Sequence, residues 1–313
     1  MMKSNKVVVM GSFVVDLMMR ADRLPVQGET VKGNSFMTGA GGKGSNQGVA
    51  AAKSGANVVM ITKIGADGFG EIAKESFRSC GMNTRYVFTD ADYPTGAALI
   101  MVDENTSQNK IVVTIGASGK ITHDDIEYAR GEIESAAVFL TQLESNLDAV
   151  VNAINIAHNA GVAVILNPAP ADRFPQQLYS KIDIFTPNET EAEFFCGIKI
   201  ETEEDARAAA AFFLDKGVKN CIITMGKQGA FLMNKDISRL FPPFNVKVVD
   251  TTGAGDAFNG GLAAAYAEGK GLEDSVIFAS AVASLSVTKL GTAKAMPARE
   301  EIDALITAME TKY

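Results

Sequence analysis

Six short apolar runs punctuate the chain, at 7–10 (VVVM), 58–61 (VVMI), 137–140 (AVFL), 162–166 (VAVIL), 182–185 (IDIF) and 221–224 (CIIT). Each is rich in β-branched residues and bounded by polar residues or glycine, the pattern of strands covered on both faces. Between them lie stretches with helical spacing of apolar positions, at 47–54, 70–80, 149–160 and 203–216. This alternation predicts βαβ units, hence an α/β three-layer sandwich with a central, mostly parallel sheet. The run VKVV at 246–249 reads as one more strand, ending at Asp250. After it come helical patterns near 256–268, 273–289 and 298–311.

Two regions depart from the rhythm. Residues 12–38 alternate loosely, with Pro25, Gly28 and Gly33 as turns, while 96–102 and 110–115 read as a hairpin around 103–109. Neither contains a crossover helix. Both are expected to form a small antiparallel patch outside the main sheet, a β lid, within one domain spanning 1–313.

Composition narrows the function. With 47% hydrophobic and 21% charged residues, the 313-residue chain can bury a large core. A net charge of -8 with no long basic run argues against nucleic acid or an anionic membrane as partner. No window is apolar enough to span a bilayer, and the first apolar run is too short for a signal peptide. Cys80, Cys196 and Cys221 are widely spaced and odd in number, which points to reduced thiols and the cytoplasm.

Three glycine-rich loops carry the candidate chemistry. The first, GAGGKGSNQG (39–48), satisfies G-x-G-x-x-G at Gly39, Gly41 and Gly44. A dinucleotide site also needs a strand before the loop and an acid after the next strand. Here SFMT reads as a poor strand, and 58–61 is followed by Thr62 and Lys63. Two readings remain: a close helix–strand contact, or a polyol-binding loop in which Lys43 and Asn46 offer polar groups at a helix start. The second loop, TMGKQGA (224–230), follows an apolar strand and is equally a ligand-binding turn or a plain hairpin.

The third loop is DTTGAGDAFNG (250–260). A lone Asp at a helix start is commonly an N-cap. Alternatively, backbone N–H groups around Ala254 and Gly255 hold a phosphoryl group in transit while Asp256 takes the proton of the attacking hydroxyl. Beside a helix N-terminus Asp256 is expected to be more acidic than an ordinary aspartate, which a loose phosphoryl-transfer transition state tolerates. None of the Gly-Lys pairs completes a G-x-x-x-x-G-K-[ST] motif. His123 and His158 both fall in helical patterns, so histidine-based zinc or triad chemistry is not expected.

Taken in order, GSFVVD, PVQGET, GGKGSNQ, QLES, LNPAP, TPNETE, ITMGKQG, DTTGAGDAFNG and SVTKLG resemble the ribokinase (PfkB) family of carbohydrate kinases, from about Val7 to Ile306. The resemblance implies ATP-dependent phosphorylation of D-ribose at O5, by a fold of that family's type. It makes Asp256 the catalytic base, with Gly253, Ala254 and Gly255 in an anion hole. It gives the sugar to Val14, Asp16, Gly42, Lys43, Gly44, Ser45, Asn46 and Glu144. Asn188 and Glu191 are implied near the triphosphate and its Mg²⁺. Thr224, Met225, Gly226, Lys227, Gln228 and Gly229, with Gly255 and Ser280, are implied at the nucleotide. Asp250 and the carbonyls of Thr252, Ser286, Lys289 and Gly291 are implied around an activating K⁺, and the lid strands in a homodimer.

Simpler roles stand beside these: Asp16 and Asp250 as turn residues, Glu144 as a helix-start acid, Glu191 as part of a solvated acidic face. Three positions depart from the family pattern. Val14 stands where a polar Asn is common, which brings in 2-deoxyribose or another pentose as alternative substrate. Ala295 lacks a hydroxyl often seen at the K⁺ site, and Ser280 replaces a larger polar residue near adenine. A nucleoside kinase and a non-catalytic sugar- or nucleotide-binding protein are the remaining alternatives.

Overall fold

The computed structural model describes residues 5–106 and 108–310. The chain begins β1 (Lys6–Met10), β2 (Val14–Ala21), β3 (Ser35–Gly41), α1 (Lys43–Lys53), β4 (Asn57–Gly65), α2 (Gly68–Ser79) and β5 (Asn83–Asp90). It continues β6 (Thr95–Asp103), β7 (Asn109–Gly116), α3 (His123–Glu134), β8 (Val138–Thr141), α4 (Leu147–Asn159), β9 (Ala163–Leu166) and β10 (Ile184–Phe185). The last third holds α5 (Glu189–Cys196), α6 (Glu203–Asp215), β11 (Asn220–Thr224), β12 (Ala230–Met233), β13 (Ser238–Phe241), α7 (Ala254–Ala267), α8 (Leu272–Ser286) and α9 (Arg299–Glu310).

The main sheet has the order β13-β12-β11-β10-β9-β8-β1-β4-β5, parallel from β11 through to β5, with β12 and β13 antiparallel at one edge. Strand alternation sorts the apolar runs onto two faces. Val7 and Val9 join a core with α1, α2, α7 and α8, while Val8 and Met10 join one with α3 and α4. Near β11 the second face is completed by α5 and α6. The result is the three-layer sandwich that the run-and-helix alternation implies. Helix starts are written into the sequence as capping boxes: Thr122 with Asp125, Asn188 with Glu191, and Thr202 with Asp205. Among the described residues no helix is long and apolar enough to cross a membrane.

The second sheet, β3-β2-β6-β7, is built from the two regions that broke the rhythm. Its outer pairs are antiparallel, and its central pair, β2 with β6, is parallel. SFMT, read as a poor strand, forms the first four residues of β3; all four are exposed, so no apolar pattern was needed there. The run 246–249 is not a strand. Val248 and Val249 are exposed, and the N–H groups of Val249 and Asp250 both donate to Val287 O, at 2.7 and 3.1 Å. This segment is therefore tied to the end of α8 instead of to a sheet.

Candidate active site

In the main sheet the chain moves outward from β1 in both directions, to β4 on one side and β8 on the other. Such a reversal opens a crevice at the carboxyl ends of the two strands. Ser12 leaves β1 there, and Gln142 to Glu144 leave β8. The Ser12 hydroxyl donates to Glu144, and the same Glu144 oxygen accepts Lys43 N–H at 3.0 Å. Glu144 therefore joins β1, β8 and the start of α1, and it is not the helix-start acid: Asn146 caps α4.

The start of α1 is pressed into this crevice. Gly42 caps it with φ of 88°, and a Cβ there would lie 2.9 Å from the backbone of Ser12, Phe13 and Val14. Only glycine satisfies both the positive φ and that approach. The first turn then carries Lys43, Ser45 and Asn46 inward. Burial works against the Lys43 ammonium, but the charges of Asp256, Glu144 and Glu191 together hold its pKa above the ordinary lysine value.

Asp256 is buried in the first turn of α7, and its side chain caps nothing. The N-cap is Gly253, with φ of 78° and no side-chain bond. Instead Asp256 Oδ2 accepts from Asn46 Nδ2 at 2.9 Å and Oδ1 from Gln47 Nε2 at 3.0 Å. The expected extra acidity is reversed: burial pushes the Asp256 carboxyl upward, against the charge of Lys43 and the amides of Gln47 and Asn46. Desolvation outweighs the helix end. Among the described residues, buried Asn46 Oδ1 has no hydrogen-bond partner. Of the loop's amides, Ala254 N–H already donates to Thr251 O at 3.2 Å, so its place in an anion hole is taken by a turn. Gly255 beside it is exposed.

Asp16 lies within β2 and is no turn residue. Thr292 Oγ1 donates to its Oδ2 at 3.4 Å and to Ala40 O at 3.1 Å. Burial raises the Asp16 carboxyl to about 6 despite the Thr292 bond, and the charges of Asp256 and Glu144 push the same way. Val14, two residues earlier, is buried with Ala98 and Ile100. Glu191 is buried too, so the acidic run ETEAE is not simply a solvated face. Its carboxylate accepts Asn188 N–H at 2.9 Å, and burial raises its pKa. Asn188 pairs with Thr224 across a parallel bridge, which sets the 224–229 turn beside α5. That turn is also a hairpin, closed by Met225 N–H to Gly229 O at 2.7 Å; Met225 is buried, whereas Gly226, Lys227 and Gln228 are exposed. The hairpin reading of the second glycine loop therefore holds.

Asp250 organises a third cluster. Its Oδ1 accepts Thr252 N–H and Oγ1–H at 3.0 and 2.7 Å, and its Oδ2 accepts Gly291 N–H at 3.0 Å. Burial opposes ionisation, but the bonds from Gly291 and Thr252 prevail and hold its pKa below the ordinary value. Ser286 and Lys289 stand at and just past the end of α8, and Lys289 N–H donates to Ser286 O at 3.3 Å. Ala295 and Ser280 are buried. Sequence reading missed Ser12, Gln47, Gln142, Asn167, Thr186, Asn259 and Thr292. For Gln142, Asn167 and Thr186 a signal existed: each follows directly on the end of a buried apolar strand, at the edge where the crevice opens.

The sequence pattern of the pfkB family of carbohydrate kinases matches residues 4–299. A ribokinase of Haemophilus influenzae is 40% identical over 293 residues, covering 94% of this chain and 95% of that protein. A deoxyribokinase of Salmonella typhi is 39% identical over 305 residues, covering 97% and 99%. Among solved structures, Arabidopsis thaliana ribokinase complexed with ribose and ATP superposes with a TM-score of 0.89 at 33% identity, covering 97% of this chain and 99% of that one.

Proposed function

The chain belongs to the pfkB family of carbohydrate kinases, and from that premise we propose that it transfers the γ-phosphoryl group of ATP to O5 of D-ribose. The observation that carries this reading is the buried Asp256 carboxylate, which opens α7 beside the exposed Gly255 and is held by the side chains of α1. Asp256 accepts the proton of the sugar hydroxyl. Its upward-shifted carboxyl makes it a better base than an exposed aspartate. Amides of Gly253 and Gly255 at the positive helix end receive the phosphoryl group in transit, with Ala254 contributing its backbone shape. Asp16, Lys43, Asn46 and Glu144 take the sugar hydroxyls along the walls formed by Val14, Gly42, Gly44 and Ser45. ATP lies along 224–229, with Ser280 near the base and Asn188 and Glu191 near the Mg²⁺ that arrives with it.

The chain is one kinase domain, and the second sheet is its lid, closing over the sugar and excluding water. The oxygen donors at Asp250, Thr252, Ser286, Lys289 and Gly291 suit a hard monovalent cation, since Asp250 is a carboxylate held acidic and the rest are carbonyls of turns and of the end of α8. Bound there, K⁺ would supply positive charge beside the anion hole. The lid also supports a homodimer: 109–114 in β7 are exposed on both faces, including Ile111, Val112 and Val113, and Phe36 and Met19 are exposed on β3 and β2. Three unpaired cysteines support the cytoplasm.

The test is Asp256→Asn, expected to lower kcat by roughly 10²–10⁴-fold with the sugar KM much less affected. Turnover near that of the unaltered enzyme would remove Asp256 from this role. A second reading, 2-deoxy-D-ribose as the preferred sugar, is favoured by Val14, which is buried and offers no hydrogen bond to a 2-hydroxyl. Comparing kcat/KM for the two sugars decides between them, and Val14→Asn is expected to move the preference toward ribose.

A further inference from the structure

Among the described residues, the hydrogen bonds to the Asp256 carboxylate both come from neutral amides. The Gln47 amide has no freedom to turn. Its Nε2 donates one hydrogen to Asp256 Oδ1 and the other to Asn167 Oδ1, each at 3.0 Å, while its Oε1 accepts from Gln142 Nε2 at 2.7 Å. Turning it over would set oxygen against two oxygens and nitrogen against a donor. Asn167 is fixed in the same way, because its Nδ2 donates to Thr186 O at 2.9 Å. Thr186 Oγ1–H then donates to Asn259 Oδ1 at 2.6 Å, and Asn259 Nδ2 donates to Gly255 O at 2.9 Å. The chain of bonds thus leaves the Asp256 carboxylate through β9 and β10 and returns to the peptide just before Asp256.

All five side chains in this ring are buried. Burying that many amides and a hydroxyl is unfavourable unless each is bonded, so packing alone gives no reason for them. Resting on the reading of Asp256 as the base, we propose that Gln47 is a positioning residue for phosphoryl transfer. It fixes which side of the Asp256 carboxylate meets the sugar hydroxyl, and it stabilises the ionised form. The charged groups that act on Asp256 are Lys43 from α1, Glu144 after β8, Asp16 from β2 and Glu191 from α5. Gln47→Met keeps all four and nearly the same volume.

The experiment follows kcat and KM against pH for the full-length enzyme and for Gln47→Met and Gln142→Met, with ATP and whichever of D-ribose or 2-deoxy-D-ribose turns over faster. In parallel, the ¹³C carboxyl resonance of Asp256, assigned by its loss in Asp256→Asn, is titrated in each protein without substrate. In Gln47→Met, kcat is expected to fall about ten- to a hundredfold, the scale of one hydrogen bond to a charged group. The acidic limb of the profile and the Asp256 titration should both move to higher pH, with sugar and ATP KM little changed. Gln142→Met keeps Gln47 but removes the one bond to its Oε1, loosening the amide, so both readouts should move the same way by less. A Gln47→Met enzyme with an unshifted limb and titration overturns the proposal, as does an unshifted Gln142→Met if Gln47→Met does not fold. Full activity in Asp256→Asn would instead defeat the underlying assignment of the base.

Discussion

At Asp16, stability and the proposed sugar binding pull in opposite directions. Its folded carboxyl is raised to about 6 from 3.8, so folding favours the protonated form. Its stabilising contribution is complete below the unfolded value and is lost as pH rises through about 6. Asp16→Asn is accordingly expected to raise the melting temperature of the ligand-free protein above that pH and to change it little in strong acid. The same substitution should raise the sugar KM about tenfold or more, the scale of a charged hydrogen bond. Calorimetry across pH beside sugar saturation curves checks both; a lower melting temperature at neutral pH would contradict the account. Asp256, Lys43 and Asn46 were legible in the sequence because glycines on either side marked them. Gln142, Asn167 and Thr186 had only their place just past a buried strand to mark them, and their partners are set by strand order, which the sequence does not show. The direction of the Asp256 shift was misjudged for a related reason: the helix end is visible in the sequence, and the depth of burial is not.

At the scale of elements, the site depends on how closely α1 approaches α7. A Cβ on Gly260 would lie 2.4 Å from Gln47 O and 2.5 Å from the Ala50 methyl. Gly260→Ala adds helix propensity worth about 1 kcal/mol, yet forces the two helices apart. The net effect is expected to be a loss of about 1–3 kcal/mol, with a fall in kcat because Asn46 and Gln47 move away from Asp256. Denaturant midpoints and steady-state rates measure the two effects, and a stabilised, fully active variant would contradict the packing described. The parallel strands were legible as unbroken apolar runs. β5 was not, since NTRYVFTD at the sheet edge alternates and carries charge. Residues 246–249 erred the other way: apolar side chains alone do not make a strand when the backbone bonds elsewhere.

At the scale of the whole molecule, the second sheet leaves the apolar strand β7 in solvent. If the dimer forms there, Val112→Lys should shift sedimentation toward the monomer and raise the sugar KM, while Tyr128→Lys, at an exposed position on α3, should do neither. A monomeric parent enzyme would refute this. The small sheet has a further consequence through its connections. β2 continues from β1 after only three residues, and β3 runs through Gly42 into α1. If that sheet swings as a lid, its pivots are 11–13, Gly42, 91–94 and 116–117, and of these Gly42 is also the residue that starts α1 with Lys43 and Asn46. On the proposed reading, the pivot at Gly42 and the grip of Lys43 and Asn46 are adjoining backbone, so uncovering the site would also loosen the hold on the phosphorylated sugar.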